Sequence, residues 1–267
     1  MNILRFVDRK LKRMFKNLYD YRELLKSNVK KEIRGKYKGS ILGVLWSFIN
    51  PLLQTIVYTI VFSIIMRSTM ENYLIYVITG IIPWTFFTTV ITQGTNTILI
   101  NGGIIKKVYF PREIMPISVT TSALVNFFIS CIIIIIFCIC SGVGISWYIL
   151  LVPVIAIVQY IFTLGCIFIL SAVDVYIRDI EYIVNFILSL AFYATPVLYE
   201  TSMFAKWEWV LNLNPLTHLL NAYRAIFYSK TMPDFTMVGI VFIISVVLCF
   251  VGYKIFKRLE RGFAEEL

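Results

Sequence analysis

From Ile114 to Val173 the chain carries no charged residue, and only Ser141-Gly142-Val143-Gly144 interrupts its apolar character. A helix crosses the hydrocarbon core of a bilayer with about 20 apolar residues, so this run holds two such lengths on either side of a glycine turn. Other uncharged runs extend the pattern. Gly39 to Met66 lies between Lys38 and Arg67, with Asn50-Pro51 in its middle. Asn72 to Ile105 gives one helix and a polar tail from Gln93 to Gly103. Tyr182 to Tyr199 ends near Pro196, and a last run extends from Phe235 to Tyr253. The expected fold is an all-α polytopic membrane protein with six transmembrane helices near 39–66, 72–93, 114–140, 146–173, 182–199 and 235–253. Composition agrees, with 59% of the 267 residues hydrophobic and 15% charged and a mean hydropathy of +0.80. Soluble domains are about half apolar and a quarter charged, which excludes a soluble enzyme, a disordered chain and a disulfide scaffold.

Lys and Arg number 25 against 15 Asp and Glu, a net charge of +10. Sorted by segment, only Arg67, Lys206, Arg224 and Lys230 fall on one face, where Glu71, Glu200, Glu208 and Asp234 balance them. The whole excess lies on the other face. The positive-inside rule makes that face cytoplasmic and puts both termini inside, and no nucleic acid is needed to explain the charge. No cleavable signal peptide is visible. Residues 1–38 read instead as a cytoplasmic, interfacial segment. Ile3, Leu4, Phe6, Val7, Leu11, Met14, Phe15 and Leu18 recur at near-helical spacing among Arg9, Lys10, Lys12, Arg13 and Lys16, a pattern suited to the headgroup layer of an anionic leaflet. A second amphipathic piece, 21–34, sets Leu24, Leu25, Asn28, Val29 and Ile33 along one side.

Catalytic motifs are missing. Cys131, Cys138, Cys140, Cys166 and Cys249 all fall in expected spans, without zinc-site or disulfide spacing. His218 is the only histidine, and Gly35-Lys36-Tyr37-Lys38-Gly39-Ser40 lacks the Gly-Lys-Ser/Thr ending of a phosphate-binding loop. The chain therefore has no visible means of hydrolysing ATP, and its span interiors hold essentially no charges of the kind that mark ion pathways. Energy for any transport is expected from a partner.

Several stretches occur in a telling order. Arg34-Gly35-Lys36-Tyr37-Lys38-Gly39-Ser40-Ile41-Leu42-Gly43-Val44-Leu45-Trp46 precedes Asn50-Pro51-Leu52. Lys106-Lys107-Val108-Tyr109-Phe110-Pro111-Arg112-Glu113, Arg178-Asp179-Ile180 and Thr195-Pro196-Val197-Leu198-Tyr199 follow. Asn212-Leu213-Asn214-Pro215-Leu216-Thr217 and Phe256-Lys257-Arg258-Leu259-Glu260-Arg261-Gly262-Phe263-Ala264 close the series. Together, from about Tyr19 onward, they resemble the permease subunit of type-2 ABC exporters of O-antigen, capsule or teichoic-acid polysaccharides. Lys36 departs from the pattern, standing where that family has an arginine. The resemblance implies a homodimer of six-span subunits in a bacterial cytoplasmic membrane, with two separate ATPase subunits that bind ATP and Mg. It also implies, as the cargo, a glycan on an undecaprenyl-type lipid pyrophosphate. No cofactor is expected in this chain.

Candidate site residues follow from chemistry beside the resemblance. Residues 102–116 are expected to form a short cytoplasmic helix, with Lys106, Lys107, Phe110, Arg112 and Glu113 suited to a cleft in an ATPase; an ordinary positive-inside loop is the alternative. Arg178, Asp179 and Glu181 form a second candidate contact, or a local ion pair. Arg34, Lys36, Tyr37 and Lys38, with Lys30 and Lys31, are candidates to receive a lipid pyrophosphate, since Lys and Arg pair strongly with phosphate oxygens; attraction to anionic membrane lipids would also explain them. Tyr58, Phe62, Phe86, Phe87, Phe192, Tyr193 and Tyr199 are candidates for a sugar-lined channel, or for packing and interfacial belts. Residues 200–234, with Trp207 and Trp209, read as amphipathic pieces re-entering the outer leaflet, and 254–267 as a cytoplasmic tail. An exporter of another amphiphile or drug, and a membrane transferase acting on polyprenyl lipids, remain alternatives.

Overall fold

A computed structural model describes residues 17, 19–37, 39–65, 71–201 and 208–267, leaving aside the side chains of 36, 37, 44, 47, 48 and 63–65. The expected helix over Ile3–Leu18 (Asn17 apart), Lys38 and Trp207 lie outside the described residues. The described residues form helices and turns with no strand. Eight helices carry the architecture: α1 Arg22–Tyr37, α2 Trp46–Thr59, α3 Tyr73–Thr95, α4 Ile114–Cys140, α5 Val152–Asp174, α6 Ile180–Ala194, α7 Pro215–Phe227 and α8 Phe235–Leu259. Four helical stretches, Tyr73–Thr95, Ile114–Cys140, Trp147–Asp174 and Phe235–Glu266, are long and apolar enough to cross a membrane. The first and fifth expected spans hold shorter apolar helices, Ile49–Phe62 and Ile180–Ala194. Short helices, Glu208–Asn212 and α7, precede the last span.

Helix α3 is the centre of the bundle. Of its most apolar stretch 78% is buried inside the protein, against 22% for the last helix. Several of its threonines return the hydroxyl to a carbonyl of their own helix: Thr79 donates to Ile75 O at 2.8 Å, Thr88 to Trp84 O at 3.2 Å and Thr95 to Ile91 O at 2.7 Å. The same device serves Thr120, Thr163 and Ser245 in the neighbouring spans, satisfying polar groups where no water reaches. Gln159 of α5 donates to Pro83 O of α3 at 2.9 Å and accepts from the Tyr223 hydroxyl of α7 at 3.0 Å, so one buried amide joins three helices. Helices α5 and α8 meet backbone to backbone. A Cβ on Gly165 would lie 2.7 Å from Cys249 N, and one on Gly252 would strike Gly165 O; small residues permit this approach in membranes, where packing rather than water expulsion holds helices together.

Two local expectations are corrected. Residues 102–116 do not form one helix: the helical turn stops at Ile105, and Lys106–Glu113 is irregular, with turns at 106–107 and 112–113 leading into α4. Pro111 explains this, since it has no N–H to donate and disfavours helical geometry at Phe110. The fifth span, expected over 182–199, stops short of Pro196. Helix α6 has already ended at Ala194, with Thr195 extended at φ −104°, ψ 135°, and residues 195–199 are irregular.

Candidate functional site

Two grooves open along α3 on different sides. One, about 500 Å³, lies between α2, α3 and α4 and is lined by Trp46, Asn50, Gln54, Thr85, Phe86, Thr89 and Asn126 among others; Asn126 Oδ1 is buried without a partner among the described residues. The other, about 410 Å³, runs between α3 and α6, with Trp84, Thr88, Thr92, Asn185, Ser189, Phe192 and Tyr193 along it. Both mix amide and hydroxyl groups with aromatic faces.

Of the aromatic candidates, Phe192 packs on Tyr58 at 5.6 Å and Tyr193 at 5.4 Å between ring centroids. Trp84 joins Phe192, at 5.7 Å, to Phe87, at 5.8 Å, and the Tyr199 hydroxyl donates to Tyr193 O at 2.7 Å. Five of the seven thus form one chain of rings and bonds beside the second groove, with Trp84 as the link that the sequence reading omitted. Phe87 turns its far side to Phe162 and is buried. Phe86, one position away on α3, faces Phe127 and the first groove. Phe62 stands apart against Tyr73. Around these grooves α2 and α6 present large apolar residues outward, including Leu53, Ile56, Val57, Ile183, Phe186 and Leu190.

The end of the bundle where the basic residues gather splits the coupling candidates. Lys106 and Lys107 are exposed, next to Val108 and Tyr109 at 57% and 93% exposure, and Arg178 and Asp179 are exposed too. Phe110 and Glu113 are buried. Glu113 accepts from Lys257 Nζ at 2.6 Å and from Asn17 Nδ2 at 3.2 Å, while Arg112 donates to the carbonyl of Glu260. Helix α1 turns Leu24, Leu25, Asn28, Val29 and Ile33 toward the protein, and Lys31 reaches Asn101 Oδ1 at 3.3 Å. Its exposed side carries Lys26, Lys30 and Arg34 along a groove of about 410 Å³ that Leu25, Val29, Ile33 and Thr121 complete. A hydrogen bond from Lys26 at 2.9 Å holds the Glu23 carboxyl below its ordinary pKa. Lys36 and Tyr37 continue α1.

Two charged residues matter more than their sequence context suggested. Arg224 is buried at 5% exposure. It donates to Pro196 O and Val197 O, each at 2.6 Å, and stacks 3.7 Å from the Tyr76 ring centroid. With Tyr73 donating to Leu198 O, Tyr76 to Tyr199 O and Asn214 to Thr195 Oγ1, it holds the unwound end of α6. The available signal was position: Arg224 falls within the stripe of Leu216, Leu219, Leu220, Tyr223, Ile226 and Phe227 that α7 buries. Asp174 is fully buried at the end of α5; neither carboxylate oxygen is satisfied at ordinary hydrogen-bond geometry among the described residues, and the main-chain N–H of Glu181 favours its charged form only weakly. An uncompensated buried charge is costly, so Asp174→Asn is expected to leave the melting temperature of the detergent-solubilised protein unchanged or higher. A drop of several degrees would show that the carboxylate is engaged.

The sequence profile described as "ABC-2 type transporter" matches residues 23–228. The chain is 36% identical, over 96% of its length and 99% of the relative's, to the O-antigen export system permease protein RfbA of Myxococcus xanthus. Two proteins of the same description from Klebsiella pneumoniae are each 34% identical over 76% of this chain and 78% of theirs. Its helical, apolar bundle and the match across most of its length agree: the chain belongs to the ABC-2 type transporter family.

Proposed function

We propose that this chain is the membrane-embedded permease half of an ATP-driven exporter that moves a lipid-linked polysaccharide across the bacterial cytoplasmic membrane. The observation that carries the reading is the α3–α6 groove, where hydroxyls, an amide and aromatic faces line a surface that aliphatic side chains would otherwise occupy. Sugar rings pack C–H faces on aromatic rings while their hydroxyls need polar partners, and relatives named as O-antigen export permeases support that cargo. In this reading two copies face each other through α2 and α6, closing the groove into a channel. The basic end is cytoplasmic and meets a separate ATPase subunit through Lys106, Lys107, Tyr109, Arg178 and Asp179. The ATPase binds ATP and Mg. An undecaprenyl-type pyrophosphate approaches along Arg34, Lys36, Tyr37 and Lys38, next to the first span.

The test is glycan export in cells expressing the permease with its ATPase. Tyr193→Ala and Asn185→Leu are expected to lower surface glycan at least about tenfold, the effect of losing roughly 1.4 kcal/mol of interaction with the moving cargo, while the protein reaches the membrane in parental amounts. Unchanged export in both variants would remove the groove from the cargo path. Failure of the chain to co-purify with any ATPase would overturn the transporter reading itself.

A further inference from the structure

The segment 254–267 does not leave the bundle but folds back across its basic end. Lys257 stands between two carboxylates, 2.6 Å from Glu113 Oε2 and 2.7 Å from Glu260 Oε2. Arg112 donates to Glu260 O, and its guanidinium lies 5.8 Å from the Phe263 ring centroid. Phe263 is fully buried, edge-on to Phe256 at 5.6 Å. On its other flank Tyr176 packs at 6.3 Å and donates its hydroxyl to Leu259 O at 2.8 Å. Leu267 closes over Gly102. One short segment is thereby bonded to the loop before α4 through Gly102, Arg112 and Glu113, and to the loop after α5 through Tyr176.

This matters because Lys106–Glu113 is irregular. Such a segment has no continuous internal hydrogen-bonded rod, so a push on Lys106, Lys107 or Tyr109 would deform the loop unless something stiff stands behind it. Packed elements with discrete bonds do transmit displacement. We infer that residues 257–267 are a clasp that makes the two loops one rigid body, with Lys257 its positioning residue, so that a displacement at the exposed ridge reaches α4, α5 and α8 together. This rests on the reading above that an ATPase docks at this end.

The test uses the permease–ATPase complex in vesicles of phosphatidylethanolamine and phosphatidylglycerol, loaded with an undecaprenyl pyrophosphate-linked glycan, and reads glycan exported per ATP hydrolysed. Lys257→Met is expected to cut that ratio at least about fivefold, the lower end of ordinary coupling between sites, while ATP hydrolysis and complex yield hold. Lys257→Arg restores it. The double variant Gly102→Cys/Leu267→Cys gives an independent readout. A Cβ on Gly102 lies 3.7 Å from Leu267 Cβ, within the range of about 3.5–4.5 Å that disulfides span. Oxidation is expected to form the bond, absent from either single variant, and to leave export per ATP at the parental level, because a rigid body tolerates an internal staple.

An unchanged ratio in Lys257→Met would overturn the clasp. So would a stapled complex that loses export and regains it with dithiothreitol, or a disulfide that does not form. Should Lys257→Met fail to assemble, the stapled protein decides alone. A parental complex that hydrolyses ATP without exporting glycan would instead sink the functional reading on which the clasp depends, and disulfide formation distinguishes the two failures because it needs no cargo.

Discussion

Gly165→Leu is expected to abolish folded protein in the membrane, whereas Gly239→Leu on the facing helix leaves its amount unchanged. At Gly165 even the first added carbon would sit 2.7 Å from Cys249 N and 2.9 Å from its Cα. Those are backbone atoms and cannot swing aside as a side chain would, so α5 and α8 must separate. Overpacking alone costs about 1–3 kcal/mol; here separation also gives up the contact along both helices, a loss that is a large fraction of a stability of about 5–15 kcal/mol. Gly239 has nothing within 4 Å of its would-be Cβ, so leucine there only adds apolar surface facing the bilayer. The measurement is the monodisperse fraction after detergent extraction, by fluorescence-detected size exclusion. Parental yield for Gly165→Leu would mean that α5 and α8 do not meet at this point.

Arg224→Met is expected to lower stability by about 3 kcal/mol or more, since charge-assisted hydrogen bonds contribute about 1.5–3 kcal/mol each and two are lost. Competing effects have to be weighed. Methionine removes a guanidinium that was expensive to bury, and replacing both partners of a buried pair by apolar groups is often harmless. Here the partners are the main-chain carbonyls of Pro196 and Val197, which no side-chain substitution removes. They would be stranded beside Gly80, where a Cβ would come within 2.7 Å of Val197 O. Arg224→Lys keeps the charge but cannot fork to two acceptors, and is expected to lose about half as much. Thermal unfolding in detergent reads both variants, and cysteine labelling at Val197→Cys reports whether the end of α6 comes loose. Equal melting temperatures for parent and Arg224→Met would sink the argument.

Both effects sit where local sequence is least informative. The bounds of α4 follow from local marks: a charged Pro111-Arg112-Glu113 on one side and Ser141-Gly142 on the other. The buried face of α1 follows from its spacing. The run 102–116 looked helical in composition, but Pro111 decided otherwise. Neither the part of Trp84 in the aromatic chain nor the separation of Phe62 and Phe86 from it was legible, because ring neighbours across α2, α3 and α6 are set by how three helices cross. Glu113 and Arg112 read as free contacts for a partner, yet their own partners stand 144 and 148 residues further along. No periodicity carries information over that distance.

The sequence by itself determined that this chain is helical, that its apolar runs belong in a bilayer, and that its surplus of positive charge falls in alternate connecting segments. Those properties depend on hydrophobicity and local hydrogen bonding, which each segment carries whatever its neighbours do. Only the tertiary structure decided which apolar faces are buried within the chain and which stay exposed, because an isoleucine is equally at home in either and only close packing separates them. It also decided which charges are consumed in holding the fold, as at Arg224 and Glu113, and which stay exposed, as at Lys106 and Lys107. A buried charge persists only where partners converge on it, and that convergence is a property of the assembled bundle.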